Sequence, residues 1–382
     1  MRIGVLGGTF NPIHNAHLQM AQCAKDTLNL DKVLMMVASD PPHKKVDGHI
    51  GADVRFFMTQ LACRNVPGVE ASNIELRRKG KSYTLDTLLE LKKQEPEAGL
   101  VLIIGSDMLQ GFVDWHQPKD VAKLCEIACV PRKGLSSADK VAAATLRRDY
   151  GAKLTMLPAC ADVISSTEIR RCVEEALPVS DFVPKNVEWY LYENGLYFPP
   201  ALKETQTALK KSLSPVRYQH VVGTMIEAVR LAALWGADPK QARIAALLHD
   251  CAKELDKRAL AVYSGDDSGI LPVLHAFAGA VLARTEYGVT DEDVLRAIRL
   301  HSTGDYAMTT LDKIIYLADI TEPTRSFEGV DGYRKALKKG ADEAMIYALT
   351  QTEKRLLAAG AKFHPASARA LAYYQNLKEV SR

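Results

Sequence analysis

The chain has 382 residues, of which 47% are hydrophobic and 25% are charged, so two domains are expected rather than one hydrophobic core. Its formal net charge of +3 is too small to argue for a nucleic-acid partner, and no apolar run approaches the roughly 20 residues of a membrane-spanning helix. Gly7 and Gly8 interrupt the first apolar stretch, which excludes a signal peptide, and seven cysteines without a Cys-x-x-Cys pair predict reduced thiols in the cytoplasm.

The N-terminal stretch predicts a buried strand, a glycine turn and the start of a helix over 16–28. Gly7 and Gly8 allow the backbone to turn sharply and to approach a ligand closely. His14 and His17 lie three residues apart, so both imidazoles project from one face of the first helical turn. A helix N-terminus suits phosphate, and two imidazoles suit a triphosphate whose charge grows as pyrophosphate leaves. The alternative is a tight turn with two structural histidines. The spacing is neither Gly-x-Gly-x-x-Gly nor that of a P-loop.

The rest of the first half alternates predicted strands (32–37, 100–104, 127–130, 153–157) with helices (53–63, 85–93). A loop over 39–45 presents Lys44 as a cation, for which the alternative is a solvated charged loop. In open α/β sheets, ligands bind beyond the carboxyl ends of the strands, where Asp107 and Arg132 stand. Trp115 follows at a distance that can bring an aromatic ring over the same crevice.

Hydroxyl groups gather at the start of a further predicted helix, in Ile-Ser-Ser-Thr-Glu-Ile-Arg-Arg from residue 164. Ser165 and Glu168 have the spacing of a capping box, which is the structural alternative. The cap does not account for Arg170, because a cation near a helix N-terminus opposes the helix dipole unless an anion binds there. With Ser166 and Thr167, Arg170 therefore predicts a second phosphate-binding site.

The order of these motifs resembles that of bacterial nicotinate-mononucleotide adenylyltransferases, in the nucleotidyltransferase superfamily, over residues 1–198. The matching elements are Gly-Gly-Thr-Phe-Asn-Pro-Ile-His from residue 7, Pro-Pro-His-Lys from 41, Ser-Tyr-Thr from 82, Gly-Ser-Asp from 105, Trp-His from 115, Arg132 and the run from 164. Ala16 stands where the family signature usually has glycine. The resemblance implies transfer of AMP from ATP to nicotinate mononucleotide, giving deamido-NAD and pyrophosphate, with Mg²⁺ carried by the nucleotide.

The same resemblance implies roles for individual side chains. The residues that would stabilise charge on the triphosphate are His14, His17, Lys44 and Arg170. The other ATP-binding residues would be Gly7, Gly8, Thr9, Phe10, Gly105, Ser165, Ser166 and Thr167. The mononucleotide would be lined by Ser82, Tyr83, Thr84, Asp107, Trp115 and Arg132. The acid form of the mononucleotide is expected to be preferred over the amide form.

From residue 199 onward, long helical periodicities replace the strands, which predicts an all-α second domain over 199–382. The predicted helices cover 202–213, 215–235, 239–255, 271–287, 291–299, 311–321 and 333–359. A single histidine inside an apolar helix is usually a satisfied core residue. Here six polar residues occupy such positions, and one shared metal centre would satisfy them all, namely His220, His249, Asp250, His275, His301 and Asp319. Imidazoles and carboxylates without thiolates favour iron, manganese or another mid-series divalent ion over structural zinc.

The order His, His-Asp, His, His, Asp resembles the HD superfamily of metal-dependent phosphohydrolases. The contexts Ala-Leu-Leu-His-Asp-Cys-Ala-Lys-Glu and Tyr-Leu-Ala-Asp-Ile-Thr-Glu-Pro-Thr-Arg resemble its bacterial branch that cleaves diadenosine tetraphosphate into two ADP. Six ligands suit two metals bridged by Asp250. Lys253 is placed to meet a phosphate, with Arg325 as a weaker candidate; the alternative for Lys253 is a solvated helix residue. The two resemblances together imply an α/β Rossmann-like nucleotidyltransferase domain followed by an all-α HD-type domain, in one bifunctional cytoplasmic enzyme.

Two alternatives stay open for the second half. The HD-type domain could be a nucleotide-binding regulatory or assembly module without turnover. It could also hydrolyse another nucleotide, such as a guanosine alarmone or a monophosphate. A homodimer stays open as well.

Overall fold

Two units make up the computed structural model, which describes residues 1–39, 50–78, 80, 83–131, 134–160, 162–265 and 270–380. The first unit holds Met1–Arg171 and Val179–Tyr190, and the second holds Cys172–Pro178 and Leu191–Arg382. The chain stays in the second unit from Leu191 onward, a few residues before the domain boundary predicted after residue 198.

A six-stranded parallel sheet forms the centre of the first unit. Its strands are β1 (Arg2–Gly8), β2 (Lys32–Val37), β3 (Val69–Ser72), β4 (Gly99–Gly105), β5 (Glu126–Val130) and β6 (Leu154–Met156), in the order β3-β2-β1-β4-β5-β6. The helices that alternate with them are α1 (Asn15–Leu28), α2 (Ala52–Cys63), α3 (Thr84–Gln94), α4 (Ser106–Gln110), α5 (Pro118–Leu124), α6 (Ser137–Tyr150), α7 (Ser166–Glu174) and α8 (Lys185–Glu193). The last two run from the first unit into the second.

The direction of strand addition reverses between β1 and β4. The chain adds β2 and β3 on one side of β1, and then returns to lay β4 on the other side. At such a reversal the connections leave the sheet in opposite directions, which opens a crevice beyond the carboxyl ends of the two strands. Val5 of β1 pairs with Leu34 on one side and Leu102 on the other, and all three are buried, as expected for a parallel sheet covered on both faces.

The predicted α/β character of the first half is confirmed, but strand β3 and helices α4, α5, α6 and α8 were not predicted. The predicted strand over 32–37 coincides with β2, and the others overlap β4, β5 and β6. Strand β3 was missed because its four residues, Val-Glu-Ala-Ser, bury only the first and the last, which is too short for a periodic signal. Helix α6 was missed although Ser136 and Asp139 form a capping box at its start.

The second unit is helical, and its described residues contain no strand. Its complete helices are α9 (Pro200–Ser212), α10 (Pro215–Trp235), α11 (Pro239–Leu248), α12 (Lys257–Ser264), α13 (Leu274–Thr285), α14 (Glu292–Leu300), α15 (Thr310–Thr321), α16 (Val330–Leu337), α17 (Ala341–Ala358) and α18 (Pro365–Val380). Helix α10 is buried around most of its circumference and packs against α11 and α15. The predicted all-α second half is confirmed.

Three predicted helices in this unit have the wrong extent. The helix predicted over 239–255 ends at Leu248, and tight turns follow, in which Cys251 N–H donates to Leu248 O and Lys253 N–H to Asp250 O. The helix predicted over 333–359 is two helices, because Gly340 has φ +113°, a left-handed conformation that ends a helix. The helix predicted over 271–287 opens with a 3₁₀ turn over Leu271–Val273. Helices α12 and α18 were not predicted.

One prediction about cysteines is wrong. Cys23 of α1 and Cys160 in the loop before α7 form a disulfide, 137 residues apart in sequence, so these two thiols are not reduced in this structure. Spacing along the chain cannot reveal a pair that the fold brings together over such a distance. Among the described residues, no helix is both long enough and apolar enough to cross a membrane.

Candidate functional site

A cavity of about 590 Å³ lies in the crevice of the first unit, where β1 and β4 end. It is lined by residues from the ends of both strands, from the loop and first turn of α1, and from the first turn of α7. Twelve predicted site residues are among them: Gly7, Gly8, Thr9, Phe10, His14, His17, Gly105, Asp107, Ser165, Ser166, Thr167 and Arg170. Residues that are far apart in sequence, such as Gly7 and Arg170, thus line one cavity where the strand order reverses.

The two glycines at the end of β1 serve different purposes. A Cβ on Gly8 would lie 2.7 Å from the ring of Phe10, which is buried and has a left-handed φ of +47°. Gly8 is therefore required by the fold of the loop itself. Gly7 lines the cavity, and no protein atom lies within 4 Å of where its Cβ would be, so it leaves space beside the ligand position.

His14 and His17 lie face to face at the start of α1. Their ring centroids are 3.6 Å apart, and His17 also meets the edge of Phe10 at 4.9 Å. The backbone N–H of His14 donates to Nδ1 of His17 at 3.3 Å, which fixes the orientation of that ring. Ala16 lies inside the helix and is buried, so its methyl group, where the related signature has glycine, is accommodated by the fold.

The first turn of α7 contains the predicted capping box and also contacts the loop after β1. Glu168 accepts from the backbone and hydroxyl of Ser165 at 2.9 and 2.8 Å. Ser166 donates to the carbonyl of Pro12 at 2.9 Å, and Arg170 to the carbonyl of Asn11 at 2.8 Å. Capping therefore occupies Ser165 and Glu168, while Arg170 is anchored to the loop after β1 and lines the same cavity as His14 and His17.

The residues predicted to line the mononucleotide are less closely grouped. Asp107 lines the cavity, but Tyr83, Thr84 and Trp115 do not. Trp115 packs against the hydrophobic core, with its ring centroid 4.9 Å from that of Phe112. Its neighbour His116 is exposed, and its ring lies tilted against Tyr83 with centroids 4.4 Å apart. Lys44, Ser82 and Arg132 lie outside the described residues.

Sequence reasoning missed Arg55, a fully buried arginine of α2. Its guanidinium donates to the carbonyls of Thr9 at 2.6 Å and Ser39 at 3.3 Å, and its Nε to that of Ile50 at 3.4 Å. It thereby fixes the loop after β1 and both described ends of the segment that carries Lys44. The sequence offered one signal for a buried arginine, because Arg55 is flanked by apolar residues in Val-Arg-Phe-Phe-Met. Met20 and Met108 also line the cavity, and nothing in the sequence distinguished them.

In the second unit, the six predicted metal ligands converge at one buried site. Five segments supply them: α10, the turns after α11, α13, the end of α14 and the last turn of α15. The Nε2 atoms of His220 and His249 are 3.2 Å apart, and those of His275 and His301 are 3.1 Å apart. Asp319 Oδ1 lies 2.9 Å from His220 Nε2.

Asp250 lies between the two histidine pairs and gives one oxygen to each. Its Oδ2 is 3.7 Å from His220 Nε2 and 3.5 Å from His249 Nε2, whereas its Oδ1 is 3.3 Å from His275 and 3.7 Å from His301. Two groups with the geometry of metal ligands therefore share this one carboxylate. Asp250, the residue predicted to bridge two metal ions, lies between these two groups.

The hydrogen bonds of His249 and His301 and the burial of His249 and His275 fit cation binding. Nδ1 of His249 donates to the carbonyl of Ala246, and Nδ1 of His301 to that of Ile298, both at 2.7 Å. Because a carbonyl only accepts, each ring turns the lone pair of Nε2 into the site. Burial lowers the pKa of His249 to about 4 and that of His275 to about 3, so both rings are neutral at pH 7. Lone pairs that converge beside an ionised carboxylate make a donor set that a divalent cation completes.

Three cations surround this donor set. Arg217 Nη1 lies 2.8 Å from Asp250 Oδ2, Arg325 Nη2 lies 2.8 Å from Asp319 Oδ1, and Lys253 Nζ lies 3.0 Å from His275 Nε2. Burial lowers the pKa of Lys253. Lys253 and Arg325 were predicted, but Arg217 was missed. Its position in the first turn of a helix, three residues before His220, was the only signal for it.

Comparisons with known proteins divide the chain in the same way. A cytidylyltransferase-like family model matches residues 5–172, and an HD-domain model matches residues 217–324. Among curated proteins, a probable nicotinate-nucleotide adenylyltransferase from Geobacter metallireducens is 38% identical over 212 residues, which are 52% of this chain and 98% of the relative. One from Synechococcus is 38% identical over 203 residues, 52% of this chain and 96% of the relative.

For the second half, a similar solved structure is a predicted HD superfamily hydrolase involved in NAD metabolism from Clostridium acetobutylicum. It is 37% identical, with a TM-score of 0.45, and the match covers 46% of this chain and 97% of that chain. The residues matched by the HD-domain model include all six predicted ligands, from His220 to Asp319.

Proposed function

Because the first half of the chain belongs to the nicotinate-nucleotide adenylyltransferase family, we propose that it transfers the adenylyl group of ATP to nicotinate mononucleotide. The products are deamido-NAD and pyrophosphate. The observation that carries the proposal is the cavity in which two helix N-termini, two stacked histidines and an anchored arginine face the same space.

The phosphate of the mononucleotide is already a nucleophile, so this reaction needs no general base. Catalysis then consists of positioning the two reactants and of stabilising the charge that develops on the departing pyrophosphate. His17 and Arg170 are the charge-stabilising donors of the described residues, with His14 stacked behind His17, and Lys44 is assigned the same role from the sequence. Mg²⁺, when bound with ATP, neutralises part of the triphosphate charge.

The test is a coupled measurement on the full chain with ATP, Mg²⁺ and nicotinate mononucleotide. Pyrophosphate and deamido-NAD should appear in equal amounts. Replacing the mononucleotide with pantetheine phosphate or a cytidylyl acceptor should give no product, since the His-x-x-His element alone fits those transferases too. Product with either of these, and none with the mononucleotide, would contradict the proposal.

For the second half, we infer a metal-dependent phosphohydrolase that cleaves diadenosine tetraphosphate into two ADP. The shared carboxylate of Asp250 between two histidine pairs is the observation that carries it. Two divalent ions, iron or manganese, would be held by His220, His249, Asp319 and Asp250 on one side and by His275, His301 and Asp250 on the other. Such a pair of ions activates water and neutralises charge at phosphorus.

The chain's own side chains supply the rest. Arg217, Lys253 and Arg325 border the ligand cluster and give it positive charge that suits a polyphosphate. Each is placed against a ligand, so an incoming phosphate oxygen would reach both the cluster and at least one cation. A dinucleoside polyphosphate presents more phosphate groups to such a border than a monophosphate does.

A nucleotide panel on the full chain tests this inference. Diadenosine tetraphosphate, a guanosine alarmone and nucleoside monophosphates are incubated separately with the Mn²⁺-loaded protein, and the products are separated by chromatography. ADP as the sole product of the first compound supports the proposal. Turnover of the alarmone or a monophosphate alone would assign another substrate, and binding without turnover of any compound would assign a regulatory or assembly module.

A further inference from the structure

The geometry points to Glu322 as a positioning residue that fixes the ring of His220 so that Nε2 faces the metal cluster. This inference rests on the proposed metal site of the second half. Glu322 follows the last residue of α15, three positions after the ligand Asp319, and its side chain is only 1% exposed. Its Oε1 lies 3.2 Å from Nδ1 of His220. A carboxylate accepts hydrogen bonds, so Nδ1 of His220 donates to Glu322, and this contact turns Nε2 toward the cluster.

The other histidines explain why His220 needs a side chain for this purpose. His249 and His301 each follow the last residue of a helix, and their Nδ1 atoms donate to carbonyls three residues earlier. Carbonyls in the last turn of a helix have no intrahelical partner and are available as acceptors. His220 lies inside α10, where the nearby carbonyls are engaged by the helix. Its acceptor therefore has to come from another element.

Glu322 is itself held by its own chain. Thr324 donates from its hydroxyl to Oε1 and from its backbone N–H to Oε2, both at 2.6 Å. The carboxylate is thus tied by both oxygens, and it acts on the cluster through His220 instead of as a ligand. The short segment from Asp319 to Arg325 then contacts both ring nitrogens of His220, since Asp319 Oδ1 lies 2.9 Å from Nε2.

Gly223 supplies the space for this carboxylate. It lies three residues after His220 on the same face of α10, and a Cβ at this position would be 2.2 Å from Glu322 Oε2 and 3.0 Å from its Cδ. Glycine inside a helix is destabilising relative to alanine. The carboxylate packed against position 223 gives a physical reason for accepting that cost in a long buried helix.

The experiment compares three variants of the full chain: Glu322→Gln, Gly223→Ala and the control Glu227→Gln. Glu227 is also buried on α10 and receives a hydrogen bond from Thr321 at 3.3 Å, but it contacts no predicted ligand. Mn²⁺ stoichiometry and affinity are measured by competition with a chelator, and thermal unfolding of the metal-free proteins reports on the fold. Gly223→Ala tests the same contact without changing a charge.

Glu322→Gln and Gly223→Ala should each weaken binding of one of the two ions by about 10- to 100-fold, as expected when the outer partner of a ligand is lost. The second ion, on the side of His275 and His301, should bind as in the parent, and so should both ions in Glu227→Gln. If the parent binds two ions and both Glu322→Gln and Gly223→Ala bind them within about twofold of the parent's affinity, the role of Glu322 is overturned while the metal site stands. A parent that binds no Mn²⁺ would instead refute the metal site, and this inference with it.

Discussion

Asp250→Ala should remove both metal ions from the second half, whereas Asp319→Ala should remove only one. Asp250 gives Oδ2 to one histidine pair and Oδ1 to the other, while Asp319 contacts His220 alone among the four histidines. Two divalent ions about 4 Å apart repel each other by roughly 17 kcal/mol at an effective dielectric constant of about 20. Without the carboxylate between them, each ion loses a ligand and the repulsion is no longer offset, so neither ion is retained.

Metal loss should also be visible in stability. An ion present at about 100 times its dissociation constant stabilises the native state by about 2.7 kcal/mol. For a unit of roughly 200 residues, that corresponds to a shift of about 5–11 °C in the melting temperature for each ion. Chelation should therefore lower the melting temperature of the parent about twice as much as that of Asp319→Ala, and should hardly change that of Asp250→Ala.

The assay is elemental analysis of metal per chain after equilibration with Mn²⁺, followed by thermal unfolding with and without chelator. The expected stoichiometries are two for the parent, one for Asp319→Ala and close to zero for Asp250→Ala. Two ions retained by Asp250→Ala would refute the bridging position. A parent without metal, whose variants are merely less stable, would show that the histidines are core residues.

Three further predictions concern the first half and the cysteines. Arg55→Leu should lower the free energy of unfolding by about 1–3 kcal/mol, because three backbone carbonyls lose a buried donor. Chemical denaturation measures this free energy, and an unchanged midpoint of the unfolding curve would exclude the anchoring role. Nicotinate mononucleotide should have a higher kcat/KM than the amide form in pyrophosphate release, and equal or better use of the amide would contradict the proposed substrate. Iodoacetamide at pH 8 should label Cys172 in the native, unreduced chain, and mass spectrometry would locate the label. It should spare the four buried thiols, whose pKa is raised by burial to about 12, namely Cys63, Cys125, Cys129 and Cys251. Rapid labelling of any of these four would contradict their burial.

Local patterns were sufficient where the physical signal is itself local. The apolar run before Gly7, the His14/His17 spacing and the capping pair Ser165/Glu168 all depend on neighbours within one turn, and the structure has the corresponding strand, stacked rings and cap. The six polar residues of the second half could be grouped because each one was anomalous in its own helix.

Partners from distant segments could not be predicted in this way. Glu322 and Thr324 look like an ordinary helix end in the sequence, and only the fold brings Glu322 to His220, 102 residues away. The same holds for the disulfide between Cys23 and Cys160. In the Trp-His pair, Trp115 was expected over the crevice, but it packs against the hydrophobic core, where it is partly buried. Burying the larger apolar ring gains more free energy than burying an imidazole.

Both reactions should be measured on His17→Ala and Asp250→Ala, because one chain is proposed to carry two separate phosphate chemistries. His17→Ala should lower the rate of deamido-NAD synthesis by at least about tenfold, since it removes a donor to transition-state charge, and should leave ADP release from diadenosine tetraphosphate unchanged. Asp250→Ala should abolish ADP release and leave synthesis unchanged. If Asp250→Ala still produces ADP at the parent's rate, or if His17→Ala still synthesises the dinucleotide at the parent's rate, the assignment of that half is wrong.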